Sequence, residues 1–120
     1  MIIVDTSVWV DLLRGIDSPL DEILGTGEES LHPFVYGELL LNGLPKRGSF
    51  AERLEGLKPA PVATQPDVAA FIIWAKLAGT GVGYVDTHLL VAARLCGGSI
   101  MTKDTNLAAQ AERLGVAYAP

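Results

Sequence analysis

Short β-branched runs alternate with amphipathic runs along this 120-residue chain, and that alternation constrains the fold more than any other feature. Strands are predicted at residues 2–5, 29–32, near 62, 99–102 and 116–119. Helices are predicted at residues 8–14, 17–27, 33–43, 49–57, 65–79, 84–98 and 104–115. Strands that alternate with helices form a parallel sheet covered on both faces. We therefore expect one α/β domain spanning residues 1–120, a three-layer α/β/α sandwich with a mostly parallel sheet of about five strands.

The composition is typical of a compact globular domain. Hydrophobic residues make up 49% of the chain and charged residues 19%, which argues against disorder. No run approaches the roughly 18 apolar residues that a bilayer crossing needs, and no basic segment precedes the first apolar run as in a signal peptide. The single cysteine, Cys96, excludes an internal disulfide. These features predict a cytoplasmic protein, whose net charge of −5 is unfavourable for nucleic-acid binding.

Four acidic residues occupy unusual positions in the sequence. Asp5 ends the apolar run "MIIVD", and Asp104 opens a helix just after "SIMT". Glu38 is embedded in "FVYGELLL", and Asp86 lies in "GYVDTHLLVAARL" among residues of an apolar helix face. Each has an individual structural explanation: Asp5 and Asp104 as helix caps, Glu38 on a solvated face, Asp86 at a favourable helix dipole.

Taken together, the four acids predict a metal site. The carboxyl ends of neighbouring parallel strands meet at one edge of the sheet, so Asp5 and Asp104 are expected to lie close together. Clustered carboxylates repel one another unless a cation neutralises them. Oxygen ligands suit Mg²⁺ or Mn²⁺, and the absence of a cysteine–histidine pattern argues against zinc. Setting these four acids aside leaves the rest of the chain nearly neutral, which weakens the objection to a nucleic-acid substrate.

The opening "IIVDTSVWVDLL" resembles that of PIN-domain ribonucleases, in particular VapC-type toxins of bacterial toxin–antitoxin pairs. Those proteins carry an Asp followed by Thr or Ser after the first strand, a Glu in a helix about a third of the way along, an Asp at the start of a later helix, and a T-x-D motif. In this chain the matching positions are Asp5, Thr6, Ser7, Glu38, Asp86, Thr102 and Asp104. Some members have another acid where Asn106 stands, so a role for Asn106 as ligand or hydrogen-bonding amide stays open.

The resemblance implies a homodimer, an Mg²⁺- or Mn²⁺-dependent endoribonuclease activity, and inhibition by a cognate antitoxin with a basic segment. Asp5 and Asp86 are then the direct metal ligands, with Glu38 and Asp104 completing the acidic pocket. The hydroxyls of Thr6, Ser7 and Thr102 either orient waters and carboxylates or act only as caps and turn residues.

Several basic residues have possible roles at such a site. Arg14, Lys46, Arg47 and Lys103 are candidates for phosphate contacts, although exposed basic residues are usually only solvated. His88 and Arg94 suggest a general base or clamp. Since His88 lies two residues after Asp86 on a predicted helix, it points elsewhere, and we predict a structural role for it.

The segment "VAAFIIWAKLAG" predicts a further interface. Its apolar residues fall on nearly every side of a helix: Val68, Phe71, Ile72, Ile73, Trp74 and Leu77. A helix that is apolar all round needs cover all round. That cover comes either from neighbouring helices of the same chain or from a second copy in a homodimer.

Two other functional classes remain open at the level of the sequence. A phosphoacceptor receiver-like signalling domain has a similar size and an Asp after the first strand, although its usual paired acids are missing here. A catalytically silent PIN-like binding module would share the fold without the chemistry. Phosphorylation by acetyl phosphate tests the first alternative, and EDTA-reversible RNA cleavage tests the second.

Overall fold

The structure is a computed structural model that describes residues 1–44 and 48–120. Within these residues the strands are β1 (Ile2–Val4), β2 (Glu29–Leu31), β3 (Lys58–Pro59) and β4 (Ser99–Met101). The helices are α1 (Thr6–Leu13), α2 (Leu20–Ile23), α3 (Pro33–Leu41), α4 (Ser49–Glu55), α5 (Gln65–Trp74), α6 (Tyr84–Cys96) and α7 (Thr105–Arg113). The expected α/β architecture, a parallel sheet flanked by helices, is confirmed.

The four strands form one parallel sheet in the order β3-β2-β1-β4. Strand β1 is central, and its apolar β-branched residues match a position with neighbours on both sides. Ile2 pairs with Glu29 of β2 and with Ser99 of β4, so the strands end at nearly the same level. Helix α6 packs on β1 and β4, while α1 packs against α3. This arrangement brings the residues that follow β1 and β4 to the same edge.

The core lies between this sheet and the helices. Ile3 and Val4 of β1 are fully buried, as are Leu89 and Leu90 of α6. Burying side chains of this size stabilises the fold by about 1.5–3 kcal/mol each. None of the helices in the described part of the chain has the length and apolar character that a bilayer crossing requires.

The predicted fifth strand at residues 116–119 was wrong. This segment makes a single parallel bridge, between Ile100 and Ala117. Two hydrogen bonds hold it to β4: the Ile100 amide donates to Val116 O at 2.7 Å, and the Tyr118 amide donates to Ile100 O at 2.9 Å. Within the described residues the sheet therefore has four strands. The third strand also lies at residues 58–59, slightly before the predicted position near 62.

Helix α5 ends at Trp74, five residues before the predicted stop at Gly79. Lys76 adopts a left-handed conformation with φ of 55°. The Leu77 amide donates to Ile72 O at 3.1 Å, and the Lys76 amide donates to Ile73 O at 3.3 Å. This is a Schellman cap, in which a left-handed residue closes the helix and the next residue is apolar. Leu77 is buried, so the cap turns the chain back into the core.

Candidate active site

Asp5 lies at the junction between β1 and α1 and does more than cap the helix. Its Oδ1 accepts the Thr6 amide at 2.7 Å, which accounts for the capping role. Its Oδ2 accepts the Thr102 hydroxyl at 2.7 Å and the Ser7 hydroxyl at 3.3 Å. Asp5 is only 5% exposed. A buried carboxylate with three donors is fixed in orientation, which an ordinary surface cap would not require.

Asp104 follows β4 in the equivalent position. Its Oδ1 accepts the Leu107 amide at 2.8 Å and caps α7, and its own amide donates to Thr102 Oγ1 at 3.0 Å. Thr102 therefore connects the two acids, since it donates to Asp5 and accepts from Asp104. The link runs through the Asp104 backbone amide, while both residues follow adjacent strands at the same edge of the sheet.

Glu38 reaches the same region from α3. His32 caps this helix, accepting the Phe34 amide on Nδ1 at 3.0 Å, and Pro33 occupies the first turn. Glu38 lies about a turn and a half further along, and its Oε1 accepts the Thr6 hydroxyl at 2.7 Å. Thr6 thus donates its amide to Asp5 and its hydroxyl to Glu38. Glu38 faces the first turn of α1, so it does not lie on a fully solvated side of α3.

Asp86 lies in the first turn of α6, and its pKa is raised by its surroundings. Burial, followed by the charges of Asp5, Asp104 and Glu38, raises the pKa of the Asp86 carboxyl to about 6. Gly83 caps the helix without a side chain, and a Cβ at that position would lie 3.9 Å from Asp86 Oδ2. Asp5, Asp104 and Glu38 therefore all lie within electrostatic range of Asp86, and their charges disfavour its ionised form.

The donor set of this acidic pocket, defined as Asp5, Glu38, Asp86 and Asp104, fits a hard divalent cation. All its potential ligands are carboxylate oxygens with hydroxyls beside them, which suits Mg²⁺ or Mn²⁺. In residues 1–44 and 48–120, no group of three or more His, Cys, Asp or Glu side chains is arranged so that it could hold a metal ion by itself. An open arrangement suits Mg²⁺, which typically keeps several waters and takes one or two carboxylates directly.

The supporting residues divide into two groups. Thr6, Ser7 and Thr102 all donate to carboxylates of the pocket, so their hydroxyls orient acids as well as shaping turns. Asn106 is exposed in the first turn of α7, and its side chain lies against Gly81. A Cβ on Gly81, where φ is 83°, would come within 2.6 Å of Asn106 Nδ2. The contact places Asn106 against the loop that leads into α6.

The predicted basic residues are mostly engaged elsewhere. Lys103 forms an ion pair with Asp11, and the Arg94 guanidinium lies 5.0 Å from the Trp74 ring centre. Arg14 is exposed at the end of α1. His88 is buried against Phe34 and Tyr84, which agrees with the predicted structural role. Burial lowers the pKa of the His88 imidazole below its ordinary value, which favours the neutral ring. Lys46 and Arg47 lie outside the described residues.

Asp11 is the residue at this site that sequence reasoning missed. It is only 6% exposed, although it sits in a run that looks like an ordinary amphipathic helix. The available signal was its spacing, because Asp11 lies one helical turn after Ser7 and so shares the face that points toward the pocket.

Comparisons with known proteins fit this arrangement. No family model matches the chain. Two curated relatives, both named Ribonuclease VapC32 and from two strains of Mycobacterium tuberculosis, are 40% identical over 120 residues, covering 99% of this chain and 97% of each relative.

Solved structures share the fold at lower identity. FitAcB from Neisseria gonorrhoeae has a TM-score of 0.67 at 23% identity, covering 98% of this chain and 95% of that chain. FitAB bound to a DNA fragment has a TM-score of 0.64 at 22% identity, covering 98% and 92%. PAE2754 from Pyrobaculum aerophilum has a TM-score of 0.64 at 15% identity, covering 98% and 87%.

These comparisons exclude the receiver-like alternative, since the near-full-length relatives are named ribonucleases. Asp5, Glu38 and Asp104 lie near enough to Asp86 for their charges to raise its pKa, and the four acids follow one another along the chain in the order of the motif. By its sequence relatives and its PIN-like fold, this chain belongs to the VapC family of PIN-domain ribonucleases.

Proposed function

We propose that this chain is an Mg²⁺- or Mn²⁺-dependent endoribonuclease that acts as the toxin of a toxin–antitoxin pair. The observation that carries the proposal is the hydrogen-bond network at the carboxyl edge of the sheet, in which Thr6 bonds to both Asp5 and Glu38 and Thr102 bonds to both Asp5 and Asp104. The raised pKa of Asp86, to which the charges of the other three acids contribute, supports it. Family membership supports the RNA substrate and the toxin role. The single Cys96 and the RNA substrate agree with a cytoplasmic location.

Each side chain of the acidic pocket has a role in this proposal. Asp5 and Asp86 are the direct metal ligands, and Glu38 and Asp104 complete the site directly or through water. When bound, the metal supplies polarisation of a phosphoryl oxygen and a lower pKa for an attacking water. Thr6 and Thr102 hold Glu38 and Asp5 in place by hydrogen bonds of 2.7 Å.

The proposed partners follow from two surfaces. Trp74 and Leu95, which are 61% and 63% exposed, line a groove of about 390 Å³ between α5 and α6, and Ile73, next to Trp74 in the chain, is 78% exposed. Large exposed apolar patches mark interaction sites, and we assign this one to a homodimer. The acidic pocket suits an antitoxin with a basic segment, whose arginine would pair with the carboxylates and exclude metal and RNA phosphate together.

The proposal is tested with purified protein and end-labelled single-stranded RNA. Wild-type protein should cleave internal bonds in Mg²⁺ or Mn²⁺ and stop in EDTA, with recovery when the metal is restored. Asp86→Asn should lose cleavage while keeping its circular dichroism spectrum, because metal stabilisation of developing charge is worth several kcal/mol.

Glu52→Gln is a matched control, since Glu52 also sits in the first turn of a helix but is exposed and lies outside the acidic pocket. Its activity should equal that of the wild type. Cleavage by Asp86→Asn at the wild-type rate would overturn the assignment, and an inactive wild type would leave the silent binding module as the better description.

A further inference from the structure

Asp11 and Lys103 form an ion pair beside the acidic pocket that the proposed reaction does not use. Asp11 lies on α1 and its side chain is 8% exposed, whereas the Lys103 side chain is 56% exposed. Lys103 Nζ donates to Asp11 Oδ2 across 92 positions of sequence. A buried carboxylate is costly without a partner, so this contact compensates the Asp11 charge.

Lys103 is attached to α1 at a second point as well. Its backbone amide donates to Ser7 Oγ at 3.4 Å, and Ser7 in turn donates to Asp5 Oδ2. The side chain therefore holds Asp11 while the backbone holds Ser7, one helical turn apart on the same helix. Two attachments at different points fix both the position and the rotation of the segment 102–104.

The neighbours of Lys103 are the residues whose orientation the site needs. Thr102 donates to Asp5 Oδ2 at 2.7 Å, and the backbone amide of Asp104 donates to Thr102 Oγ1 at 3.0 Å. At the two ends of the connection between β4 and α7, the Asp5 amide donates to Met101 O at 2.9 Å and the Leu107 amide donates to Asp104 Oδ1 at 2.8 Å. Without the anchor at Lys103, the Thr102 hydroxyl and the Asp104 carboxylate would lose their fixed relation to Asp5.

We propose that Asp11 and Lys103 are a positioning pair that locks the segment 102–104 onto α1, so that Thr102 and Asp104 face Asp5 in the geometry the metal site requires. The inference rests on the proposed function of the acidic pocket. It assigns Lys103 a different role from the phosphate contact suggested by its charge, because its ammonium is already committed to a buried carboxylate.

The two roles for Lys103 predict different kinetics. A positioning pair acts on the ordering of the site, so its loss lowers kcat and metal affinity while KM for RNA stays near its original value. A direct phosphate contact binds substrate, so loss of the Lys103 ammonium would raise KM for RNA. In that case substitution of Asp11 would not change the kinetics. Residues that orient metal ligands typically contribute 10- to 100-fold to affinity or activity.

The experiment compares Lys103→Met, Asp11→Asn and Lys103→Arg with the control Lys58→Met, an exposed lysine on β3 at the opposite edge of the sheet. Steady-state cleavage of labelled RNA gives kcat and KM, and electron paramagnetic resonance of free Mn²⁺ gives metal affinity. Lys103→Met and Asp11→Asn should each lower kcat and Mn²⁺ affinity by about 10- to 100-fold. Lys103→Arg should retain most of both, and Lys58→Met should match the wild type.

A single variant that leaves a buried charge unpaired can fail to fold, so the double variant Asp11→Leu, Lys103→Met removes both charges at once. With a normal melting temperature it should still show the loss of kcat and of Mn²⁺ affinity, no greater than that of the more impaired single variant. If the double variant had the kcat and Mn²⁺ affinity of the wild type, the positioning role of Asp11 and Lys103 would be overturned. A rise in KM confined to Lys103→Met would overturn it as well. If the wild type binds Mn²⁺ but cleaves no RNA, the proposed function fails, and the Mn²⁺ affinities alone decide the positioning role.

Discussion

The Thr102 hydroxyl donates to Asp5 Oδ2 at 2.7 Å, which joins residues 97 positions apart at the ends of the adjacent strands β1 and β4. The same hydroxyl oxygen accepts the Asp104 amide. One side chain thus sets the relation between an acid at the central strand and an acid at the edge strand. Its substitution should affect the site without disturbing the core, because Thr102 lies at the carboxyl edge of the sheet.

Thr102→Val should lower RNA cleavage by about 10- to 100-fold, since Asp5 Oδ2 would keep only the longer Ser7 contact. Thr102→Ser keeps the hydroxyl and should retain most of the activity. Initial rates in saturating Mg²⁺ measure the effect, with circular dichroism as the folding control. Equal activity of the valine and serine variants would show that the hydroxyl has no part in the site.

Asp86→Asn should stabilise the metal-free protein at pH 7. The pKa of Asp86 is about 6 in the folded state against an ordinary value of 3.8, so the folded state holds the proton more tightly. The stability that protonated Asp86 contributes is therefore present at low pH, and it is lost as the pH rises from about 4 to 6 and the folded protein ionises this carboxyl. We expect a gain on the order of 1 kcal/mol at pH 7 after solvent screening, and little difference at pH 4.

Urea unfolding of wild type and Asp86→Asn at both pH values measures this difference, with Glu52→Gln as the control. Mg²⁺ should raise the stability of the wild type by mass action and that of Asp86→Asn much less. A wild type whose unfolding free energy is the same with and without Mg²⁺ would count against the metal site.

Ile73→Asp should convert a dimer into a monomer. Ile73 is 78% exposed, so the substitution costs the folded monomer little, whereas a charge placed in an apolar interface is strongly unfavourable. Light scattering coupled to size-exclusion chromatography gives the mass of each variant. Leu41→Asp is the matched control, since Leu41 is 89% exposed at the end of α3. A wild type that is monomeric at micromolar concentration would remove the dimer from the proposal.

Lys76→Gly should stabilise the protein by about 1 kcal/mol. A left-handed conformation costs a residue with a Cβ roughly 1–2 kcal/mol, part of which glycine loses again through its greater freedom in the unfolded chain. Lys76→Ala keeps the Cβ and should show no such gain. Denaturant midpoints of the three proteins distinguish the backbone effect from loss of the lysine side chain. Equal gains for both variants would place the cause in the side chain.

The sequence by itself located most of the helices and strands and drew attention to the four acids. Periodicity and β-branched runs are local properties, so they located β1, β4 and the long helices within a few residues. The position of Asp5 and Asp104 after parallel strands was sufficient to predict that they meet, because such strands end at one edge of a sheet. The apolar surroundings of Glu38 and Asp86 marked them as unusual, and the family motif agreed with that choice. The structure brings Asp86 within electrostatic range of Asp5, Asp104 and Glu38.

Only the tertiary structure decided the features that depend on contacts between distant segments. Helix α5 ends early because burial of Leu77 supports a left-handed Lys76, a conformation that the sequence does not signal without glycine. The segment after α7 makes one bridge because its pairing depends on β4, which is only three residues long. Asp11 became part of the site through Lys103, 92 positions away. Local patterns specify which residues can form an element, whereas the pairing of charges across the fold is fixed only when the chain packs.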